Sequence, residues 1–228
     1  MRVQQTPRAH PAGAATGRLK ITETFYSLQG EADSAGWPTF FIRLTGCPLR
    51  CVYCDTAYAF HGGEWRSIDT LLEEVSLSHA RRVCVTGGEP LAQKTSLELL
   101  RRLCDAGHAV SLETSGAVDA SGVDPRVVRV LDLKTPGSGE MHRNLYSNLG
   151  ALTARDMVKF VICNRQDYEW ARGQVADHEL ADRLQVLFSP VAGGLPPAEL
   201  ADWILADRLQ VRFQVQLHKV LWGDVAGR

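Results

Sequence analysis

The chain has 228 residues, 45% of them hydrophobic, and its 25 Lys and Arg side chains nearly balance 26 Asp and Glu. This length suits one sizeable core, and the even charge balance argues against a protein that binds nucleic acid or a membrane surface. No run approaches the roughly 18 apolar residues of a membrane span, and residues 1–17 lack the apolar stretch of a signal peptide. We therefore expect a cytoplasmic protein with reduced cysteine thiols.

The predicted elements alternate along a single domain. Residues 1–17 are rich in Ala, Gly, Pro and Arg without periodicity, which predicts a flexible tail ahead of one domain over 18–228. Apolar patterning predicts strands over 19–25, 38–44, 82–86, 109–112, 127–133, 156–163, 184–188 and 211–217. Helices are predicted after Ser67 to about 78, from about 90 to 103, and over 166–175 and 197–206. This alternation indicates a mostly parallel sheet.

Polar segments follow six of the predicted strands. They are residues 47–54, 87–89, 113–116, 134–139, Ser189 and His218. Because parallel α/β folds gather their active sites at the carboxyl ends of the strands, we expect these segments to meet in one site. No Gly-x-Gly-x-x-Gly follows a strand, which weighs against a dinucleotide-binding fold.

The densest chemical signal is a Cys-x3-Cys-x2-Cys run just after the strand 38–44. Thiolates at such spacings are typical ligands of zinc or of iron–sulfur clusters. A structural zinc site needs a fourth protein ligand, for which His61 is the nearby candidate, whereas three thiolates leave one iron of a [4Fe–4S] cubane open. The run therefore favours a cluster held by Cys47, Cys51 and Cys54, with a degenerate zinc site as the alternative. The remaining cysteines, expected to be buried apolar residues, are Cys84, Cys104 and Cys163.

This cysteine run and the Gly-Gly-Glu-Pro at 87–90 resemble the signatures of the radical S-adenosylmethionine (SAM) superfamily. The resemblance implies an incomplete TIM-like β/α barrel with fewer helices than strands, and SAM bound to the open iron. The residues that it assigns to SAM are Tyr53, Gly87, Gly88, Glu89, Glu113, Ser115, Lys134, Thr135, Ser138 and Ser189. Two of these features have ordinary structural alternatives: Glu89 as a carboxylate at a helix start, and Lys134 as the partner of Asp132 at a strand end.

Within the superfamily, the resemblance narrows to enzymes that convert 6-carboxy-5,6,7,8-tetrahydropterin to 7-carboxy-7-deazaguanine with loss of ammonia. It rests on residues 26–31, 41–47, 54–56, 113–116, 132–134 and 216–219. The substrate-binding residues that it implies are Leu28, Gln29, Gly30, Glu31, Arg43, Thr86 and His218. Arg43 would pair with the substrate carboxylate, unless it extends to solvent from its strand. A buried core histidine is the alternative for His218.

The resemblance further implies a Mg²⁺ ion, a homodimer and a flavodoxin-like reductant. Thr56 would hold the Mg²⁺ together with the substrate, and the carboxylate of Asp55 is the rival ligand. The short spacing between the first two cysteines predicts no helix there, and because the chain continues beyond Lys219, no role is assigned to a terminal carboxylate. Two other functions stay open: an activase that generates a glycyl radical on a partner protein, and a zinc-binding module without catalysis.

Overall fold

The computed structural model describes residues 17–227, which form one nine-stranded sheet in the order β3-β1-β2-β4-β5-β6-β7-β8-β9. The strands are β1 (Arg18–Leu28), β2 (Pro38–Leu44), β3 (Glu64–Ser67), β4 (Arg82–Gly87), β5 (Ala109–Thr114), β6 (Val128–Asp132), β7 (Met157–Ile162), β8 (Gln185–Pro190) and β9 (Arg212–Phe213). From β2 to β9 every neighbouring pair is parallel, whereas β1 lies antiparallel between β2 and β3.

Six α-helices accompany these strands within the described range. They are α1 (Ile68–Leu77), α2 (Ser96–Asp105), α3 (Arg165–Asp177), α4 (Leu180–Arg183), α5 (Pro197–Ala206) and α6 (Leu217–Trp222). The start of α1 is fixed by Ser67, whose hydroxyl oxygen accepts a hydrogen bond from the Thr70 amide at 3.1 Å. The connection from β5 to β6 contains no helix in the structure. Fewer helices than strands and a mostly parallel open sheet confirm the predicted incomplete TIM-like barrel.

Alternation along the parallel strands divides the molecule into an outer core and an inner cavity. Successive side chains on a strand point to opposite faces. On β2, Ile42 packs in the apolar cluster formed with α1 and α2, whereas Phe41 and Arg43 line the cavity. A second apolar cluster forms between α3, α5 and the strands β6 to β8, around Phe160 and Tyr168. The inner face of the same strands is consequently free to carry the polar residues of a site.

The C-terminal region differs from the sequence prediction. In place of a strand over 211–217, β9 has only two residues, and the chain turns into α6, so His218 lies in a helix. Just after β9 the Gln214 amide still donates to the Phe188 carbonyl at 3.0 Å, and the Gln214 side chain accepts from the Ala32 amide at 2.9 Å and donates to Ser189 Oγ at 3.0 Å. The short elements β3 and α4 are also absent from the sequence prediction. They carry few apolar residues, and α4 spans only four residues.

Of the flexible tail predicted for residues 1–17, only Gly17 lies among the described residues. No helix in the described part of the chain is both long and apolar enough to span a membrane.

Candidate active site

The carboxyl ends of the parallel strands surround a cavity of about 550 Å³. This volume lies within the range of about 300–1,000 Å³ that is usual for small-molecule sites. All of the predicted site residues line the cavity except Glu89, Thr135 and Ser138. The six polar segments that follow separate strands in the sequence therefore meet in one place.

The cysteine loop is packed against the glycines that follow β4. The Glu89 amide donates to the Gly46 carbonyl at 2.8 Å, and Gly46 has a φ of +96°, a conformation that favours glycine. A Cβ added to Gly88 would lie 2.1 Å from the Gly46 carbonyl oxygen and 3.0 Å from the Cβ of Cys47. Glycine is thus required at position 88 so that the two loops can approach each other. As predicted, no helix forms between Cys47 and Cys51.

Three free thiols, those of Cys47, Cys51 and Cys54, line the cavity together. Burial raises the pKa of each thiol, that of Cys51 to about 11, so the thiolate forms require a cationic partner. Soft sulfur donors on one wall of an otherwise open cavity fit a cubane cluster with one iron left for a further ligand. No three His, Cys, Asp or Glu side chains of residues 17–227 converge closely enough to hold a single metal ion.

A chain of alternating charges lies at the ends of β6 and β7. Lys159 Nζ is 2.7 Å from Glu31 Oε2 and 3.7 Å from Asp132 Oδ2, and Lys134 Nζ is 2.9 Å from the same oxygen of Asp132. Burial raises the pKa of Glu31, but the charge of Lys159 together with the hydrogen bonds from Lys159 and Gln216 outweighs this effect and holds the pKa below its usual value. The structural alternative, a pair between Asp132 and Lys134, is thus present, and both residues also face the cavity.

Glu113 lies at the centre of a second polar group. Its carboxylate accepts from Thr86 Oγ1 at 3.3 Å and from Gln29 Nε2 at 3.4 Å. Burial, with a contribution from the negative charge of Glu31, raises the pKa of Glu113. Within one cavity the pKa of Glu31 is thus lowered and that of Glu113 raised, because Glu31 has a cationic partner at hydrogen-bond distance whereas the hydroxyl and amide donors to Glu113 are neutral.

The segment after β9 also lines the cavity. Gln216 Nε2 donates to Glu31 Oε1 at 2.9 Å and to Asp55 Oδ2 at 3.1 Å. Lys219 Nζ lies 3.1 Å from Asp55 Oδ2 and 3.3 Å from Asp224 Oδ1. Asp224 is part of the cavity wall, so the chain beyond Lys219 contributes to the site although the sequence assigned it no role.

Two of the predicted ligand-binding residues, His218 and Thr56, make close contacts with other cavity residues. The ring of His218 packs on Gly30, where an added Cβ would lie 2.0 Å from Nδ1. The Thr56 hydroxyl donates to Asp55 Oδ1 at 2.9 Å. Burial raises the pKa of Asp55, but Lys219 and its hydrogen-bond donors outweigh this and hold the pKa below its usual value. Asp55 is therefore an ionised carboxylate whose charge is already balanced.

The three predicted residues outside the cavity wall have structural contacts. Glu89 is fully buried and accepts from the Thr114 hydroxyl at 2.9 Å and from the Ser115 amide at 2.6 Å. It thereby ties the loop after β4 to the end of β5. It also accepts from the Leu91 amide at 2.9 Å at the start of a short 3₁₀ helix, which is the ordinary role that the sequence left open. The Thr135 hydroxyl donates to the Val161 carbonyl, and the Ser138 hydroxyl to the Thr135 carbonyl. Roles of these residues toward SAM remain predictions.

Sequence reasoning missed four charged or amide side chains of the cavity wall: Lys159, Gln216, Lys219 and Asp224. The sequence contains a signal for Lys159. In β7 this lysine lies on the same face as Met157 and Val161, whereas Val158 and Phe160 lie on the apolar outer face. A lysine on the inner face of a buried strand requires a partner, and Glu31 provides it. The other three residues follow β9, where the predicted strand concealed the turn into α6.

A partial β/α barrel with three free cysteines after its first parallel strand and Gly-Gly-Glu-Pro after the next has the architecture of a radical SAM enzyme. The family model described as the Radical SAM superfamily matches residues 41–133. A 7-carboxy-7-deazaguanine synthase from Chlorobaculum tepidum is 45% identical over 90% of this chain and 94% of its own length. One from Koribacter versatilis is 42% identical over 90% and 97%. The chain belongs to the 7-carboxy-7-deazaguanine synthase family and is a radical SAM lyase.

A solved structure supports the same assignment. The crystal structure of QueE from Escherichia coli superposes with a TM-score of 0.72 and 25% identity, covering 88% of this chain and 95% of the other. Membership in the family implies a [4Fe–4S] cluster and SAM as cofactors. It also separates the chain from the two alternatives that the sequence left open, the glycyl-radical activase and the zinc-binding module.

Proposed function

We propose that the protein converts 6-carboxy-5,6,7,8-tetrahydropterin to 7-carboxy-7-deazaguanine and releases ammonia. The observation that carries this proposal is one cavity that combines three free thiols with Gln29, Glu31 and Arg43, a set of amide, carboxylate and guanidinium groups. Such groups match the hydrogen-bonding edge and the carboxylate of a carboxylated pterin. The names of the relatives support the product.

In this proposal Cys47, Cys51 and Cys54 would hold the cluster, and residues at the ends of β4 to β6 would hold SAM. When bound, the cluster and SAM supply the radical that takes a hydrogen atom from the substrate. The protein binds and orients the reactants and excludes water from them. Asp132 Oδ1 supports a ligand on this side, because it is buried and has no hydrogen-bond partner among the described residues.

The substrate is held by Gln29, Glu31 and Arg43, with Glu113 and His218 close by. Lys159 keeps Glu31 ionised, so that this carboxylate accepts hydrogen bonds from the donor edge of the pterin. Burial raises the pKa of Glu113 and so favours the protonated carboxyl group, the form that can donate to an acceptor of the substrate. The pKa values of the two carboxyl groups beside one ligand are thus shifted in opposite directions.

We further propose Thr56 as the direct Mg²⁺ ligand. Asp55 is the rival ligand, but its charge is already balanced by Lys219, whereas the Thr56 oxygen keeps a free lone pair while it donates to Asp55. Mg²⁺ retains several waters and bridges readily to substrate oxygens, so one hydroxyl ligand is sufficient. We also propose a single domain over residues 18–228, a homodimer, a flavodoxin-like reductant and a cytoplasmic location.

The test is an anaerobic assay of the reconstituted enzyme with SAM, dithionite and the carboxylated tetrahydropterin, with products identified by mass. The proposal predicts 7-carboxy-7-deazaguanine and one ammonia per product. Tetrahydropterin without the carboxylate should give no corresponding product. An enzyme with a full cluster that binds SAM but leaves the carboxylated pterin unchanged would contradict the proposed substrate.

A further inference from the structure

The guanidinium of Arg43 is held from one side by groups outside the cavity. Arg43 Nε donates to Glu23 Oε1 at 2.7 Å, and the Tyr58 hydroxyl donates to the same oxygen at 2.8 Å. Within the described part of the chain, the bond to Glu23 is the one hydrogen bond of the Arg43 side chain. The side chains of Arg43 and Glu23 are only 15% and 24% exposed. Arg43 lines the cavity, whereas Glu23 does not.

The strand pairing explains this arrangement. Glu23 and Arg43 are opposite each other in the antiparallel pair β1 and β2, directly after an irregularity in the register between residues 21 and 23. An irregularity of this kind re-aims side chains on the strand that carries it. Because Glu23 binds Nε, the two terminal nitrogens of Arg43 remain available to a partner inside the cavity. These terminal nitrogens form one of the edges through which arginine binds a carboxylate with two hydrogen bonds.

Aromatic rings complete the subsite. The Phe25 and Phe41 rings stack with centroids 4.8 Å apart and planes 8° from parallel, and both residues line the cavity beside Arg43. The Arg43 guanidinium carbon lies 5.7 Å from the Phe25 centroid and 5.9 Å from the Tyr58 centroid. Cation–π contacts at this range stabilise a guanidinium. A flat apolar surface beside a fixed guanidinium is complementary to a planar ring that carries a carboxylate.

We propose that Glu23, together with Tyr58, is a positioning residue that orients the Arg43 guanidinium for two-point recognition of the substrate carboxylate. The inference rests on the proposed function, since it needs an anionic substrate at Arg43. Two effects of Glu23 oppose each other. Its negative charge by itself weakens the binding of an anion nearby, whereas its hydrogen bond holds Arg43 in the binding geometry. Removal of Glu23 therefore strengthens binding of the anion if the charge of Glu23 dominates, and weakens it if the hydrogen bond to Arg43 dominates.

The experiment measures the fluorescence of two oxidised pterins, pterin-6-carboxylate and pterin without the carboxylate, as each binds the reconstituted enzyme with SAM under anaerobic conditions. For Glu23→Leu we expect about ten- to a hundredfold weaker binding of pterin-6-carboxylate, the loss typical of one hydrogen bond to a charged group. Binding of unsubstituted pterin should stay unchanged. Glu23→Gln, which keeps an acceptor oxygen for Nε and for Tyr58, should recover most of the affinity.

A matched control is Glu64→Leu, which removes an exposed carboxylate from the adjacent strand β3 and should leave both affinities unchanged. Tyr58→Phe removes one of the two donors to Glu23 and should give a smaller loss that is again confined to pterin-6-carboxylate. Tighter or unchanged binding of pterin-6-carboxylate to Glu23→Leu, or equal losses for the two pterins, would overturn the positioning role. If the unaltered enzyme itself fails to prefer the carboxylated pterin, the proposed substrate is wrong, and the inference is overturned with it.

Discussion

Replacement of Lys159 by methionine tests the buried charge pair that supports the substrate loop. Methionine keeps the apolar stem of lysine but removes the ammonium group that lies 2.7 Å from Glu31. The side chains of Lys159 and Glu31 are 11% and 10% exposed, so the variant leaves a nearly buried carboxylate without its cation. Breaking a buried pair in this way costs about 3–5 kcal/mol. Since Gln216 still donates to Glu31, we expect the lower end, about 3 kcal/mol.

The free energy of unfolding is measured by urea denaturation of the protein without cluster, so that metal content does not enter the comparison. The matched variants are Glu31→Gln and the double change Lys159→Met with Glu31→Gln. Because the double variant carries no unpaired charge at this position, it should be more stable than Lys159→Met alone. We expect a coupling energy of about 1.5–3 kcal/mol. Strictly additive losses of unfolding free energy would show that Lys159 and Glu31 do not stabilise each other.

The pH dependence of stability gives an independent check on the same pair. The folded protein holds the pKa of Glu31 below its ordinary value of 4.5 and that of Lys159 well above its ordinary value of 10.5. The contribution of Glu31 is therefore lost as the pH falls below about 4.5. That of Lys159 is lost only as the pH rises above about 10.5. Between these limits the contribution of the pair should be constant. In Lys159→Met the unpaired carboxylate can take up a proton, so its deficit relative to the unaltered protein should shrink toward pH 4.

Two further substitutions test the packing of the cysteine loop and a buried pair far from the cavity. Gly88→Ala should displace the Gly46–Cys47 backbone, lower the iron content after reconstitution and reduce the free energy of unfolding by about 1–3 kcal/mol. The control is Gly173→Ala, which has open space around its Cβ and should leave both iron content and stability undiminished. Asp156→Asn should cost about 3–5 kcal/mol in urea unfolding, because the Arg129 guanidinium 2.6 Å away would be buried without its counter-ion. Burial raises the pKa of Asp156, but Arg129 and the backbone donors outweigh this and hold the pKa below its ordinary value of 3.8. Asp156→Asn should therefore lose less stability than the unaltered protein as the pH falls below about 3.8. Full iron content in Gly88→Ala, or an acid limb of the same slope in Asp156→Asn, would contradict these expectations.

The parallel strands and their carboxyl-terminal loops could be predicted because apolar runs and polar breaks are local signals. Strand β2 matches its predicted residues, and Pro197–Ala206 matches the predicted helix. The C-terminal region could not be predicted in this way. Gln214 and Gln216 are part of an alternating stretch typical of a strand, but their side chains bind Ala32 and Glu31, which are more than 180 residues away in the chain. Contacts at such separations leave no pattern in a short window of sequence.

For the candidate site, the sequence predicted the residues that line the cavity more completely than the residues that bind them. The position of Arg43 on the cavity wall was predictable from its place on β2, but its ion pair with Glu23 depends on the register of β1 against β2. The buried Lys159 similarly depends on the loop that brings Glu31 across the sheet. Motifs identify the groups that face a ligand, whereas long-range contacts determine how those groups are oriented and charged.

The role proposed for Cys47, Cys51 and Cys54 is to hold the cluster that product formation in this cavity requires. Its most direct test compares Cys51→Ala with Cys84→Ala, since Cys84 is a fully buried cysteine outside the motif. Both variants are reconstituted with iron and sulfide, and iron per chain and 7-carboxy-7-deazaguanine by mass are measured on the same samples. We expect roughly four irons per chain and full turnover in Cys84→Ala, with loss of both in Cys51→Ala. Product formation by Cys51→Ala without iron would contradict it.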